Sequence, residues 1–258
     1  MELGLKGKVV VITGGATGIG KASALAFAEE GCTVAVCGRR QDKLDSAMEE
    51  FEAAGYDLFT MALDASMEKQ VEHFADEVFT RYGKIDIWMN NAGISPKRRL
   101  IDMSGDEWDD LMRINLKSVF LGAKTAASYM KKSGGGVILN ASSFAAKMPI
   151  ATSGAYAATK TAIVSLTRSL AAELAPYGIR VNSYIPGFIK TDINRERAEK
   201  QEAYLTSQIA LNRLGAPGDV APALIFLASD RAGYITGTAV EITGGKFIIQ
   251  NPDVPWTW

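Results

Sequence analysis

Short apolar runs alternate with longer amphipathic stretches along the whole chain. Residues 8–13 form an apolar, β-branched run, which is typical of a strand buried on both faces. Similar runs predict further strands at residues 33–37, 57–62, 85–89, 137–141, 180–185 and 238–242. Helical periodicity between them predicts helices at residues 21–30, 41–54, 67–82, 106–132, 153–176 and 219–229. This alternation predicts an α/β fold: a Rossmann-type, doubly wound parallel sheet of about seven strands, flanked by helices.

The chain is long enough to bury a large core, because 47% of its 258 residues are hydrophobic. No repeat or linker divides it, and we expect a single domain over residues 1–258. A net charge of −1 gives no electrostatic reason to bind nucleic acid or an anionic membrane. The N-terminus is too charged for a signal peptide and no apolar run reaches transmembrane length, so a cytoplasmic location is expected.

Cysteine and histidine are scarce in this sequence. Cys32 and Cys37 flank one predicted strand without the spacing of metal ligands, and we expect both thiols to be reduced. The single histidine, His73, lies in a charged helical stretch. Neither a metal site nor a catalytic triad based on histidine is therefore expected.

The first apolar run leads directly into a glycine-rich turn, Gly14-Gly-Ala-Thr17-Gly18-Ile19-Gly20, and then into a predicted helix. Strand, glycine turn and helix in this order indicate dinucleotide binding. Glycine lets the backbone approach a pyrophosphate closely, and the helix N-terminus faces that anion. The turn is therefore predicted to bind a cofactor.

Two arginines, Arg39 and Arg40, follow the second predicted strand. In dinucleotide-binding folds an acidic residue at this point binds the ribose of NAD, whereas arginine accommodates the 2′-phosphate of NADP. The acid is missing here, and guanidinium groups bind phosphate through paired, charge-assisted hydrogen bonds. We therefore predict a preference for NADP(H). The alternative is that the arginines are solvated or pair with Asp42, and that NAD(H) is used.

Tyr156 and Lys160 stand four residues apart in a predicted helix and share one face. A free phenol has a pKa of about 10, and a fixed ammonium nearby favours the phenolate and lowers that pKa. A hydroxyl from Ser142 or Ser143, just after the preceding strand, can hold the oxygen of a carbonyl or an alcohol. These groups can move a proton on and off a substrate oxygen, but they cannot supply a hydride. A cofactor is therefore required.

With these motifs in this order, the sequence resembles the short-chain dehydrogenase/reductase family in its single-domain form. The resemblance runs from about Leu5 to Gly245. It implies an NAD(P)-dependent enzyme that interconverts a secondary alcohol and a ketone. The family's spacing of thirteen residues before the tyrosine selects Ser143 over Ser142. The catalytic residues that the resemblance implies are Asn115, Ser143, Tyr156 and Lys160.

The resemblance also implies a role for each residue of the site. Ser143 would position the carbonyl oxygen and Tyr156 would give it a proton. Lys160 would lower the pKa of the tyrosine and hold the nicotinamide ribose. Asn115 would disturb its helix and hold a water that connects the lysine to solvent. The further cofactor contacts would be Asp64 and Ala65 at the adenine, Asn91, Ala92 and Gly93 beside the cofactor, and Pro186, Gly187, Ile189 and Thr191 at the nicotinamide.

The family's most variable part corresponds to a substrate loop at residues 190–212, which is expected to be mobile until ligand binds. This loop belongs to a core of residues 5–245, and a C-terminal tail of residues 246–258 with two tryptophans follows the core. The family's habit implies a homotetramer.

The fold and the catalytic residues do not determine the substrate. One hypothesis is a polar or anionic hydroxy or keto compound, such as a sugar acid, because cations are found on loops near the predicted site. These cations are Lys97, Arg98, Arg99, Lys147, Arg195 and Arg197. The alternatives are a reductase of apolar acyl or steroid-like ketones, with an apolar lid around Phe144, Phe188 and Tyr204, and a protein that senses the cofactor without turnover. The predicted substrate contacts are Ser95, Lys97, Phe144, Lys147 and Arg195.

Overall fold

The computed structural model describes residues 2–246 and 248–257, so Phe247 and Trp258 of the predicted tail lie outside the described residues. Within the described part, seven parallel strands form one sheet in the order β3-β2-β1-β4-β5-β6-β7. The strands are β1 (Val9–Thr13), β2 (Thr33–Gly38), β3 (Leu58–Ala62), β4 (Ile87–Asn90), β5 (Gly136–Ala141), β6 (Ile179–Pro186) and β7 (Ala239–Ile242). The predicted doubly wound α/β fold is confirmed.

Helices cover both faces of the sheet. They are α1 (Gly18–Glu29), α2 (Gln41–Ala53), α3 (Glu68–Tyr82), α4 (Gly105–Met112), α5 (Ser118–Ser133), α6 (Gly154–Leu174), α7 (Arg195–Lys200), α8 (Glu202–Ser207) and α9 (Pro217–Ala228). On one face α1 packs against α9, and elsewhere α3 packs against α5. Most of the predicted elements are found, with bounds that differ by a few residues.

Alternate residues of β1 face opposite layers of the core. Val10 packs in a cluster with Phe27 of α1, whereas Val9 packs in a second cluster with Phe74 of α3. Because side chains alternate along a strand and helices cover both faces, all five residues of β1 are buried, and the first four of them are apolar. This accounts for the uninterrupted apolar run in the sequence.

The helix predicted over residues 106–132 is not continuous. A π-helical turn, Arg113–Lys117, separates α4 from α5. Asn115 lies in this turn and is completely buried. Its Nδ2 donates to the Ile94 carbonyl (2.9 Å), and its Oδ1 accepts from the Ile94 N–H (2.8 Å). These two bonds hold the asparagine against the loop after β4, and the wider turn accommodates them.

A buried polar network joins β4, β5 and α6. Asn90 donates from Nδ2 to Asn140 Oδ1 (2.9 Å), and Asn140 donates from Nδ2 to Thr167 Oγ1 of α6 (3.0 Å). Gly122 of α5 leaves room for it, since a Cβ there would lie 2.0 Å from Asn90 Oδ1. Buried polar groups of this kind are stable only when they are paired. The network therefore fixes α6 on the end of β5.

The predicted substrate loop folds into the two short helices α7 and α8. They lie over a small apolar cluster made of Phe188, Ala198, Leu205 and Ile209. A β-bridge between Ile189 and Gly215 closes the base of the segment. The loop is thus folded beside the carboxyl end of β6, and its mobility stays a prediction.

Candidate active site

The carboxyl ends of the central strands surround a cavity of about 740 Å³. Strand order reverses between β1 and β4, and open α/β sheets bind ligands outside such a switch point. The volume is in the usual range for small-molecule and cofactor sites. The predicted residues that line it are Gly14, Thr17, Gly18, Ile19, Arg39, Arg40, Asp64, Ala65, Asn91, Ala92, Gly93, Ser143, Tyr156, Lys160, Pro186, Gly187, Ile189 and Thr191.

The glycine turn brings its backbone to the cavity wall. Gly14 has a φ of +66°, and a Cβ there would lie 2.9 Å from the Ala92 Cα. Gly18 is the first residue of α1, so the N-terminus of that helix lies at the wall. Free N–H groups at a helix N-terminus bind phosphates, and the turn therefore fits a pyrophosphate. Gly20 does not line the cavity; a Cβ there would lie 2.2 Å from the Gly14 carbonyl oxygen.

Arg39 and Arg40 line the cavity beyond the end of β2, and both are exposed. Asp42, considered above as a partner for them, pairs with Lys43 at 3.7 Å. Among the described residues, neither arginine forms an ion pair, so both guanidinium groups can meet an anion. Lys43 also lines this part of the cavity, although the sequence shows it only as one position of an amphipathic helix.

Asp64 is an oriented carboxylate at the cavity wall. Its Oδ1 accepts from the Ser66 N–H (2.9 Å) and hydroxyl (2.7 Å), and its Oδ2 accepts from Arg113 (3.2 Å). Burial opposes the charge of Asp64, but the bonds from Ser66 and Arg113 outweigh it and hold the pKa of the carboxyl below its usual value. Arg113, which no sequence motif indicated, thereby joins the predicted adenine site to the turn that carries Asn115.

The serine, the tyrosine and the lysine predicted to be catalytic meet beyond β5. The side chain of Ser143 lies beside that of Tyr156 and favours the ionised form of its hydroxyl. Lys160 donates from Nζ to the Ala141 carbonyl (2.9 Å), and Nζ lies 5.6 Å from the centroid of the Tyr156 ring. Ser142 donates from Oγ to the Lys160 carbonyl (2.9 Å), which ties the strand end to the helix. The sequence spacing therefore predicted which side chains meet here, and their catalytic roles stay predictions.

Burial controls the proton affinity of both titratable groups. It raises the pKa of Tyr156, and the hydrogen bond from Ser143 opposes this rise only in part. It also lowers the pKa of Lys160 to about 8. In the chain by itself burial therefore sets the direction of the Tyr156 shift, and the lowering expected from Lys160 stays a prediction. A neutral phenol remains, which can donate a proton to a ketone oxygen.

Asn115 lies behind the cavity wall rather than on it. A Cβ at Gly93 would lie 3.2 Å from Asn115 Oδ1 and 3.6 Å from Lys160 Nζ, so the amide and the ammonium approach the same glycine. Asn115 Nδ2 is also 3.4 Å from Thr159 Oγ1. The asparagine is thus placed near the lysine, and its role in a proton relay stays a prediction.

The substrate contacts were predicted only in part. Those that line the cavity are Ser95, Lys97 and Phe144. Lys147 and Arg195 do not line it, so the structure gives these two predictions no support. Lys147 pairs with Glu241 of β7, and Arg195 pairs with Asp192, so each cation turns toward a carboxylate. Arg197 lines the cavity instead.

Of the three aromatic residues named for a reductase of apolar ketones, two line the cavity and one does not. Phe144 and Phe188 line the cavity, and Phe188 is buried. Tyr204 of α8 is exposed and does not line it. Two of the three aromatic side chains therefore line the same cavity as the catalytic groups, and the apolar lid stays a prediction.

Comparison with known proteins places the chain in a family. It matches the sequence profile described as Enoyl-(Acyl carrier protein) reductase over residues 14–246. A crystal structure of a short-chain type dehydrogenase/reductase from Mycobacterium marinum is 36% identical, with a TM-score of 0.91 over 95% of this chain and 98% of that one. The chain belongs to the short-chain dehydrogenase/reductase family. Its relatives include the 3-oxoacyl-[acyl-carrier-protein] reductase FabG of Thermotoga maritima, 38% identical over 95% of this chain and 99% of the relative. The FabG of Staphylococcus epidermidis RP62A is 36% identical over 93% and 99%.

As a short-chain dehydrogenase/reductase, the chain is an oxidoreductase that uses NAD(P) and acts on CH–OH and keto groups. The predicted enzyme class and the nicotinamide cofactor are confirmed.

No group of three or more His, Cys, Asp or Glu residues that could hold a metal ion is found in residues 2–246 and 248–257. None of the helices in the described part of this family member is both long and apolar enough to cross a membrane.

We expect the buried ammonium of Lys160 to make the stability of the protein depend on pH. Its pKa is about 8 in the folded chain and 10.5 in its ordinary environment, so the unfolded chain binds more protons between these values. Relative to Lys160→Met, the free energy of unfolding of the wild type should therefore rise between about pH 8 and pH 10.5, by on the order of 3 kcal/mol. Urea unfolding of both proteins without cofactor measures this. Parallel pH curves would contradict it.

Proposed function

We propose that the chain reduces the ketone of a 3-oxoacyl thioester with NADPH. The observation that carries this proposal is the apolar surface around the catalytic groups. Its large apolar side chains are Ile94, Phe144, Ile150, Phe188 and Ile193. An acyl chain gains about 0.8 kcal/mol for each CH₂ buried on such a surface. Relatives that cover nearly the same length are named 3-oxoacyl-[acyl-carrier-protein] reductases.

The catalytic groups take the roles expected from the family. NADPH supplies the hydride to the carbonyl carbon. Ser143 holds the carbonyl oxygen and Tyr156 donates its phenolic proton to it, so the product is an alcohol. Lys160 holds the nicotinamide ribose, and Asn115 links the lysine to solvent. The neutral state of Tyr156, which burial favours, is the protonated form that reduction of a ketone requires.

NADPH is the proposed reductant because Arg39 and Arg40 lie at the cavity wall beyond β2, where a 2′-phosphate is bound in this fold. Both are free of carboxylate partners among the described residues. Two guanidinium groups with this freedom favour a phosphate over a ribose hydroxyl. The single domain over residues 1–258, the homotetramer and the cytoplasmic location stay predictions.

A polar or anionic substrate such as a sugar acid is less well supported. Of the six cations behind that hypothesis, only Lys97 and Arg197 line the cavity. Arg98 lies 3.6 Å from Glu107, and Arg99 pairs with Asp102. The cations that motivated an acidic substrate are therefore mostly engaged by carboxylates of the chain.

The proposed function is tested by the rate at which NADPH is oxidised with different ketones. We expect kcat/KM for 3-oxooctanoyl-CoA to exceed that for a keto sugar acid by on the order of 100-fold, because the CH₂ groups of its acyl tail are buried. The double variant Lys97→Ala, Arg197→Ala separates the hypotheses. It should leave the KM of an uncharged 3-oxo ester unchanged. Better turnover of the sugar acid, with a KM that rises in this variant, would overturn the proposal. Tight NADPH binding without turnover of either ketone would revive the cofactor-sensing alternative.

A further inference from the structure

Tyr184 lies in the wall of the cofactor cavity and takes no part in the chemistry proposed above. It belongs to β6, lines the cavity and is completely buried. In the sequence it is one residue of a predicted central strand and belongs to none of the motifs described above. A buried tyrosine hydroxyl needs a hydrogen-bond partner, and the identity of this partner indicates a function.

The partner of Tyr184 lies two strands away. The Tyr184 hydroxyl donates to Oδ1 of Asn91, the first residue after β4 (3.0 Å). On the intervening strand β5, Ala141 stands directly beside Tyr184 in the register of the sheet. The two strands β4 and β6 are separated by two strand spacings, or about 10 Å. The side chains of Tyr184 and Asn91 together cover this distance, and they pass over β5 where its residue is small. Ala141 provides that space.

The same asparagine holds the glycine turn. Asn91 donates from Nδ2 to the Gly14 carbonyl (3.0 Å). A Cβ at Gly20 would lie 2.6 Å from Asn91 Nδ2 and 2.2 Å from the Gly14 oxygen. The hydrogen bond therefore fills the space that a side chain at position 20 would need. The Gly14 carbonyl can only accept, so it requires the amide nitrogen of Asn91 on its side and leaves the amide oxygen toward Tyr184. The Tyr184 hydroxyl donates to that oxygen and thereby holds the amide in the orientation that binds Gly14.

We propose that Tyr184 is a positioning residue for the cofactor: through Asn91 it holds the glycine turn in the shape that binds the pyrophosphate. The bridge joins β6, at the nicotinamide end of the cavity, to the turn after β1. It does not involve Arg39 and Arg40, at the adenosine end. The inference depends on the nicotinamide cofactor and is independent of the oxoacyl substrate.

The variant Tyr184→Phe tests the proposal because it keeps the ring and removes only the hydroxyl. Isothermal titration calorimetry would measure the Kd of NADPH and of adenosine 2′-monophosphate, which lacks the pyrophosphate and the nicotinamide. Loss of one hydrogen bond that leaves a buried acceptor should raise the Kd of NADPH about tenfold. The Kd of the monophosphate should stay as in the wild type. No substrate is present, so the outcome is separate from the test of the proposed function.

The matched control is Tyr129→Phe. Tyr129 of α5 is also largely buried, and its hydroxyl bonds to Asp76, but it does not line the cavity. Its loss should lower the midpoint of thermal unfolding without changing either Kd. An unchanged Kd of NADPH in Tyr184→Phe would overturn the proposal. So would an equal weakening of both ligands, or an equal effect of Tyr129→Phe, because each would indicate a general disturbance of the fold.

Discussion

Replacement of Tyr156 by phenylalanine is expected to lower kcat for ketone reduction by about 10²- to 10⁴-fold. The ring stays in the cavity wall, but the hydroxyl that bonds to Ser143 and can donate its proton is lost. The Kd of NADPH should remain close to that of the wild type, since the phenol acts on the substrate oxygen. Steady-state kinetics with acetoacetyl-CoA and NADPH, together with calorimetric binding, measure both quantities.

The control for this substitution is Tyr204→Phe, because Tyr204 is exposed on α8 and does not line the cavity. Its kinetics should match the wild type. A kcat of Tyr156→Phe within a few-fold of the wild type would mean that another group donates the proton.

The rate of ketone reduction by the wild type should stay level through the neutral range and fall in alkaline solution. Burial raises the pKa of Tyr156 and thereby keeps the phenol protonated at neutral pH.

The double variant Arg39→Ala, Arg40→Ala is expected to raise the Kd of NADPH by on the order of 100-fold and to leave that of NADH unchanged. Both guanidinium groups are exposed at the cavity wall, where they can bind a 2′-phosphate that NADH lacks. Calorimetric titration of each cofactor into the wild type and the variant provides the comparison.

Loss of two positive charges could weaken phosphate binding from a distance, and the control variant Lys131→Ala, Lys132→Ala addresses this. These lysines lie in the last turn of α5, outside the cavity lining. Their removal changes the net charge equally and should leave the Kd of NADPH unaffected. If the wild type binds NADH as tightly as NADPH, or if the arginine variant loses both equally, the arginines do not select the cofactor.

The parts of the site that were predicted from sequence are those set by local spacing. Gly14 and Gly18 could be identified because a strand precedes the turn and a helix follows it. Tyr156 and Lys160 share a helix face whatever the rest of the chain does. That the glycine turn and the tyrosine meet at one cavity followed from the rule that ligands bind at the carboxyl edge of a parallel sheet.

Other features depend on which side chains become neighbours, and the sequence does not contain that information in a local form. Lys147 and Arg195 were predicted as substrate contacts by their position on loops, yet each turns to a carboxylate that folding brings near. The π-helical turn at Asn115 exists because the loop after β4 offers a backbone amide and carbonyl to its side chain. A helical period alone predicts an uninterrupted helix.

The sequence by itself determined the class of fold, the family, the nicotinamide cofactor and the identity of the catalytic cluster, because alternating strands and helices and short motifs carry this information within a few residues. Only the tertiary structure decided the direction in which the pKa of Tyr156 shifts, the position of Arg113 and the bridge from Tyr184 through Asn91 to Gly14. The physical reason is the same in each case. Desolvation and long-range hydrogen bonds depend on groups that are distant in the chain and become neighbours only when the sheet is assembled.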